Sequence, residues 1–352
     1  MKVALIGYAQ SGRSSLYRAA ARGLAKGDVT AIPVPDPRFD AIVAQVKPKK
    51  QTPATVILQD DVEAVQGLGR ALSVKLIDAA KKADLLLIVA RGFENPTVAH
   101  HSETIDVIRD ASSLETELVL ADLGIIENRL ERLLRSNAVK TPGSPDYLDK
   151  QALGRFKEEL ENGVPIRRLT LTEDEETSVK TYAFLTAKPV VIVANMGEDH
   201  AAEAPADIAA KLAQWSAEGT PAFSVCATIE EEIAQLDAAD QPEFLESLGL
   251  TEPASHRVIR AVYDAMGLIT FFTAGENDTH AWPLRRGSNA VKAAGTIHND
   301  IAKGFIRAEI VHYNDYIAAG SLDAAYSAGK MSLEGKEYQI QDGDLLHIRN
   351  KS

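Results

Sequence analysis

The sequence predicts an α/β fold in which a parallel sheet is interrupted by a helical arm and followed by a small β-rich domain. Three observations carry this. The front of the chain reads as a buried strand, a glycine-bounded loop and a helix. Continuous apolar runs at Leu85–Val89 and Pro189–Asn195 have the composition of parallel strands covered on both faces. Between them lies a stretch whose apolar residues recur at helical spacing.

Taken in order, Val3–Ile6 is the first strand. It runs into Gly7-Tyr8-Ala9-Gln10-Ser11-Gly12-Arg13-Ser14-Ser15. This loop has the glycine spacing and the hydroxyl of a phosphate-binding P-loop, Gly-x-x-x-x-Gly-Lys-Ser/Thr, with Arg13 where the pattern has lysine. A helix rich in Ala, Leu and Arg follows from Ser14 to about Lys26 and is ended by Gly27. Pro33, Pro35 and Pro37 make Thr30–Arg38 an extended edge segment. Thr55–Leu58 is the next strand and ends in Asp60 and Asp61, a carboxylate pair on the sheet edge where ligands sit in open α/β sheets. A helix (Gly69–Ala83) and the strand Leu85–Val89 come next. From about Leu114, the residues Leu118, Ala121 and Ile125, then Leu130, Leu133 and Leu134, mark a long helix. Thr141–Pro145 turns the chain into a second helix, Tyr147–Glu161. A third begins at Thr172, where Glu175 completes a capping box. Such an arm reads as a docking surface rather than a chemical site.

The sheet resumes at Pro189–Asn195. A helix (Ala204–Glu218), a strand (Ala222–Cys226) and helices from Glu230 to about Met266 close the domain. Glu230-Glu231-Glu232 reads as a solvated face at a helix start, where negative charge suits the dipole. Beyond Leu268, alternating segments and glycine turns predict a small β-rich domain. Its Tyr313 and Tyr316 read as packing residues, and Arg285, Arg286 and His298 as surface. The expected boundaries are 1–113 with 189–267 for the nucleotide-binding domain, 114–188 for the arm and 268–352 for the C-terminal domain.

Composition narrows the class. A chain of 352 residues, 45% hydrophobic and 25% charged, fits a globular protein of two or three domains. No apolar run approaches the roughly 20 residues of a membrane span. The N-terminus enters a strand directly, without a basic-then-apolar leader, so a cytoplasmic location is expected. One cysteine, Cys226, excludes an internal disulfide and fits a reducing compartment. The net charge of −12 argues against nucleic-acid binding by the whole surface. From Leu268 onward nine Lys/Arg face ten Asp/Glu, which gives no strong nucleic-acid footprint there.

Several further stretches resemble the YchF-type P-loop NTPases, an Obg-related family that prefers ATP over GTP. Pro35-Asp36-Pro37-Arg38-Phe39-Asp40 is similar to the family's segment after switch I, and Gly67-Leu68-Gly69 to the end of its switch II loop. Arg91-Gly92-Phe93-Glu94-Asn95 resembles its Arg-x-Phe-Glu strand end. Thr116–Leu123 is similar to the start of its arm, and Asn195-Met196-Gly197-Glu198 to its Asn-x-x-Glu motif. The fullest match is C-terminal: Phe272–Gly275, Ala281-Trp282, Ala294–His298, Lys303–Ala308, Tyr338 and Asp342-Gly343-Asp344 resemble its TGS domain, a ubiquitin-like β-grasp module. The resemblance implies a Ras-like P-loop NTPase domain with an inserted, coiled-coil-like arm, plus a TGS domain. It implies a nucleotide-dependent protein acting around ribosomes or translation, with the ribosome or another protein met through the arm and the TGS domain.

Departures from the family cluster on the phosphates and the metal. Arg13 keeps the charge of the P-loop lysine but is longer, planar and forked. The segment before Asp36 is shorter than the family's, which removes switch I. Asp60-Asp61-Val62-Glu63 stands in place of Asp-x-x-Gly, so Glu63 sets another acid near the anion. Like charges 4 Å apart cost roughly 4 kcal/mol at an effective dielectric near 20. The expectation is that Arg13 pairs with Asp60 or Asp61 and fills the space of Mg²⁺. The nucleotide-binding candidates are Gly7, Gln10, Ser11, Gly12, Arg13, Ser14 and Ser15 on the phosphates, and Asn195, Glu198, Cys226 and Ala227 around the base. Ser14 and Asp60 are the Mg²⁺ candidates, against which the altered residues argue. Glu198, one carbon longer than a guanine reader's aspartate, points to ATP rather than GTP. His100 aligns with a family histidine able to position water, although a histidine after a strand is more often surface or capping. The favoured reading is an ATP-preferring regulatory protein with weak or lost hydrolysis. The other is an active slow ATPase or GTPase switch.

Overall fold

Strands apolar at every position need cover on both faces, and the computed structural model supplies it. It describes residues 1–135, 141–237 and 239–351. The chain forms two units, residues 1–30 with 57–258, and residues 31–56 with 259–352. From the N-terminus the strands are β1 (Lys2–Ile6), β2 (Val29–Pro33), β3 (Gln51–Thr52), β4 (Thr55–Gln59), β5 (Leu85–Gly92), β6 (Val190–Met196) and β7 (Ala222–Val225). All but β3 form one sheet in the order β2-β4-β1-β5-β6-β7. The contacts of β1 with β4 and β5, of β5 with β6 and of β6 with β7 are parallel. Every residue of β6 is buried, as are all but the last of β5. β2, which ends in Pro33, takes an edge, where the one missing amide donor costs little.

In chain order the helices up to residue 265 are α1 (Arg13–Ala21), α2 (Pro37–Val46), α3 (Val74–Lys82), α4 (Val107–Leu134), α5 (Pro145–Glu161), α6 (Glu173–Tyr182), α7 (Ala206–Ala217), α8 (Ala227–Gln235), α9 (Gln241–Ser247) and α10 (Ala254–Ala265). Several ends differ from the sequence expectation. α1 stops at Ala21, short of Lys26, because Arg22 turns left-handed at φ 46° and Gly23 follows at φ 78°. That turn carries the Arg22 guanidinium to His256 at 2.8 Å and Gln241 at 2.5 Å. α3 starts at Val74, where the Ser73 hydroxyl accepts the Leu76 amide. α4 starts at Val107, ahead of Leu114, because the Asp106 carboxylate caps the Arg109 amide.

The arm packs as α4, α5 and α6 around Ile126, Leu133, Leu153, Phe156, Leu160 and Phe184. Leu134, expected in this stripe, is exposed instead. The capping box at Thr172 and Glu175 forms with both hydrogen bonds. Asp122, fully buried on α4, accepts the Leu185 and Thr186 amides at 3.0 and 2.8 Å and the Thr186 hydroxyl at 2.6 Å. One carboxylate thus fixes where the chain returns to the sheet.

The glutamate run departs from its expected role. α8 starts at Ala227, and Glu230 on it is buried. Its two oxygens accept the Ala254 and Ser255 amides at 2.8 and 3.0 Å. The physical reason is the start of α10, whose first amides have no partner within the helix. Glu231 pairs with Arg18 at 2.7 Å, and Glu232 alone is solvated.

In the second unit β8 (Leu268–Thr273), β9 (Thr279–Arg285), β10 (Phe305–His312), β11 (Ser332–Glu334) and β12 (Asp344–Asn350) join β3 in the order β11-β10-β12-β8-β9-β3. The β8/β9, β10/β12 and β10/β11 contacts are antiparallel, while β12/β8 and β3/β9 are parallel. Helix α11 (Ala290–Ile297) lays Ala290, Ala293 and Ala294 on this mixed sheet beside Phe271, Ile310 and Leu346, as in a β-grasp domain. Residues 31–56 belong to this unit through β3 and through α2, whose Phe39 stacks on Phe272 at 6.4 Å. Tyr316 is buried, and Arg285, Arg286 and His298 are exposed, as expected. Among the described residues no helix is long and apolar enough to cross a membrane.

Candidate functional site

The site lies in the first unit, at the C-terminal ends of β1, β5, β6 and β7, and is built around the loop Gly7–Gly12. Both glycines are required by space. A Cβ on Gly7 would stand 2.6 Å from Ser11 Oγ and 2.7 Å from the Val89 carbonyl. On Gly12, at φ 81°, it would stand 1.9 Å from Asn195 Nδ2. Gln10 adopts φ 64° to close the loop. Gly12 is the N-cap of α1 and offers no side chain, so the first amides of the helix face outward as anion donors. Ser11 Oγ is buried without a hydrogen bond. Ser14 is exposed, and Ser15 Oγ accepts from Arg18 at 3.0 Å.

Arg13 does not reach outward. Its Nε donates to Asp60 Oδ1 at 2.6 Å and its Nη2 to the Asp60 carbonyl at 3.4 Å. The two side chains are 13% and 8% exposed, so the pair is largely withdrawn from water. Asp61 is exposed and takes no part in it. Glu63, expected to add charge near the anion, is exposed and accepts the Ser73 hydroxyl at 2.5 Å, beside the cap of α3. The backbone beyond Glu63 lies along the loop. Val65 donates to the Gly7 carbonyl, and the Ala9 amide donates to the Val65 carbonyl, both at 3.0 Å. The Ala9 amide is therefore spent internally.

The base-side candidates gather at the ends of β6 and β7. Asn195 is buried and committed as a clamp. Its Nδ2 donates to the Ser11 carbonyl and its Oδ1 accepts the Ala227 amide, each at 3.0 Å. Cys226 is the buried N-cap of α8. Burial pushes its thiol pKa up, with the nearby Glu198 carboxylate adding to the rise. Glu198 opens a short 3-10 turn and is exposed.

Two groups drawn into this region had little sequence signal. Phe93 lies where a Cβ on Gly12 would meet its ring at 3.5 Å. The buried Arg91 guanidinium sits 4.7 Å over that ring and donates to the Phe93 and Val98 carbonyls. Tyr8, next to Gly7, stacks on His101 at 4.0 Å and donates to Ser113 Oγ at 3.0 Å. His100 is neither surface nor cap. With His101 it packs against the fully buried Asp110, at Nε2 to Oδ2 distances of 3.3 and 3.2 Å. Burial lowers the His101 pKa, and the Asp110 charge opposes that fall. Arg91 and Phe93 were visible only as a motif, and the partner of the two histidines lies ten residues beyond His100 and nine beyond His101.

The arrangement suits an anionic group at the start of α1. It suits Mg²⁺ poorly. The carboxylate best placed to hold the ion is bonded to a guanidinium, and that fixed positive charge would repel a dication.

A family model for the C-terminal domain of YchF GTPases, described as a protein of unknown function (DUF933), matches residues 268–351. The chain is 35% identical to the ribosome-binding ATPase YchF of Bacillus subtilis, over 98% of both chains. It is 37% identical to the protein of that name in Haemophilus influenzae, over 99% of this chain and 98% of the other. The Obg-like ATPase 1 of Pongo abelii is 28% identical, over 99% and 92%. The structure of the Schizosaccharomyces pombe YchF GTPase superposes with a TM-score of 0.87 at 26% identity, covering 99% of this chain and 97% of that one.

Proposed function

The chain belongs to the YchF family, and we propose that within it this protein is a nucleotide-binding regulatory factor of the ribosome, with weak or lost hydrolysis. ATP is its preferred nucleotide. The reading of partner and nucleotide rests on the relatives named ribosome-binding ATPases. The reading of the chemistry rests on one observation, the Arg13–Asp60 ion pair. Phosphoryl transfer in P-loop proteins is positioning and electrostatics, with a cation on the transferring group. Here the one basic side chain of the loop is turned onto the metal-side carboxylate.

In this reading the amides of Gln10 and of Gly12 to Ser15 hold the phosphates, aided by the positive end of α1, while the Ser11 amide is spent on the Tyr8 carbonyl at 3.2 Å. Glu198, Cys226 and Ala227 line the base, and Asn195 holds their loop against the P-loop. The arm and the C-terminal β-grasp unit are the surfaces offered to the ribosome or another protein partner. The protein works in the cytoplasm.

Direct titration with ATP, ADP and GTP, each with and without Mg²⁺, tests this. ATP is expected to bind more tightly than GTP, with little change on adding Mg²⁺ and no appreciable turnover. Tight binding that requires Mg²⁺, followed by hydrolysis, would restore the active-switch reading. The intact glycine geometry of the loop is the observation that favours that alternative.

A further inference from the structure

Outside the phosphate loop, the densest cluster of ligand-type side chains among the described residues is His100, His101 and Asp110. Adjacent residues in an extended chain point to opposite sides. Here both rings turn the same way, with centroids 4.0 Å apart and a 39° tilt, and both present Nε2 to Asp110 Oδ2. The His100, His101 and Asp110 side chains are 8%, 4% and 0% exposed. Neither contact has the geometry of an N–H···O hydrogen bond, and all three atoms are buried without any hydrogen-bond partner. The three atoms meet at ion-pair distance but without hydrogen-bond geometry, an incomplete satisfaction that buried polar groups ordinarily avoid. We propose that these three side chains form a binding site for one divalent transition-metal ion of the zinc class, beside the glycine loop.

The spacing fits such an ion. Zinc bonds imidazole nitrogen at about 2.0–2.1 Å and carboxylate oxygen at about 2.0–2.2 Å, so adjacent ligands of a tetrahedron stand about 3.3–3.4 Å apart. The two nitrogen–oxygen separations are 3.3 and 3.2 Å. Two imidazoles and one carboxylate make a donor set for zinc or iron(II), whereas Mg²⁺ prefers oxygen ligands and water. Such a site keeps a coordination position open for water.

Outer contacts orient the ligands as metal sites require. Arg109 Nε donates to Asp110 Oδ1 at 2.9 Å and its guanidinium is itself held by Thr104, which leaves Oδ2 turned to the histidines. His100 Nδ1 accepts the Ser102 amide at 3.1 Å and stands 3.2 Å from the Ser102 carbonyl, so ligation through Nε2 requires the other tautomer, whose Nδ1 proton that carbonyl would accept. His101 is held flat against Tyr8. The Arg109 charge opposes the ion, so affinity is expected below that of an all-histidine site. Metal binding would pin His101, and with it Tyr8, in the nucleotide loop.

The test uses the full chain without a polyhistidine tag, dialysed against Zn²⁺ in excess Mg²⁺, with metal content measured by mass spectrometry. One equivalent of zinc per chain is expected. His101→Gln and Asp110→Asn should each lose it, while His298→Gln, at an exposed histidine, should keep it. Replacing zinc by Co²⁺ should give the visible absorption of a four- or five-coordinate ion in wild type and not in His101→Gln. Circular dichroism establishes that the variants are folded, and zinc should raise the melting temperature of wild type but not of His101→Gln. A wild type that retains no zinc, or variants that retain as much as wild type, would overturn the proposal. No readout involves nucleotide, so the nucleotide reading stands or fails separately.

Discussion

At the scale of single residues, Arg13 is turned from the glycine loop onto Asp60. A lysine there would carry its charge as a point at the end of a flexible stem, whereas the arginine fork folds back onto Asp60. Arg13→Lys should free Asp60 and raise ATP affinity about tenfold, or about 1.4 kcal/mol, in the presence of Mg²⁺. Isothermal titration reads this, and an unchanged affinity would mean that the ion pair does not limit binding. Asp60→Ala should destabilise the fold by about 3 kcal/mol, because it strands a nearly buried guanidinium. The Asn195 clamp gives a second prediction. Asn195→Ala removes two buried hydrogen bonds and should cost about 2 kcal/mol in a denaturant titration. Gly12→Ala should cost at least about 1 kcal/mol, since its φ is left-handed. Its Cβ would also press on the Asn195 amide, so the two substitutions together should cost less than their sum.

At the scale of elements, polar groups far apart in sequence set the ends and junctions. Glu230 on α8 caps the start of α10, and Glu230→Ala leaves two amides of that helix unmet. A loss of about 1–3 kcal/mol is expected in the denaturation midpoint. Glu230→Gln, which keeps an acceptor, should cost less. In the second unit, hydrogen bonding from His347, with help from Arg349, holds the Glu309 carboxyl below its ordinary value of 4.5. A carboxylate with a depressed folded pKa stabilises fully above its unfolded pKa, and that stabilisation disappears as pH falls through the folded one. Acid unfolding of this unit should therefore steepen below pH 4.5, and Glu309→Gln should flatten the profile there. A variant as acid-sensitive as wild type would remove Glu309 from the explanation.

At the scale of the whole molecule, the second unit is discontinuous in sequence. Residues 31–56 supply its edge strand β3 and the helix α2, and Phe39 and Ile42 of α2 are buried. A chain ending at Gly267 should leave this stretch without its partners. Limited proteolysis is expected to cut it within 31–56 while the β1–β5–β6 core resists. Protection of 31–56 in the shortened chain would show that the segment folds without the C-terminal sheet.

The sequence determined most elements because their signals are local. The glycine spacing marked the loop after β1, the unbroken apolar runs marked β5 and β6, and Thr172 with Glu175 marked the start of α6. A local pattern places a residue on an element but does not say what lies across from it. Glu230 reads as solvated among its acidic neighbours, and only folding brings the unpaired amides of α10 to its carboxylate. Arg13 reads as an altered lysine, and its pairing with Asp60, rather than with the equally near Asp61, is settled by the end of β4. His100 reads as the counterpart of a family histidine and His101 as an ordinary letter until the first turn of α4 sets Asp110 against both. The tertiary structure decided these matters because the energy of a buried charge or donor depends on its partners in space, which neighbouring residues in sequence do not fix.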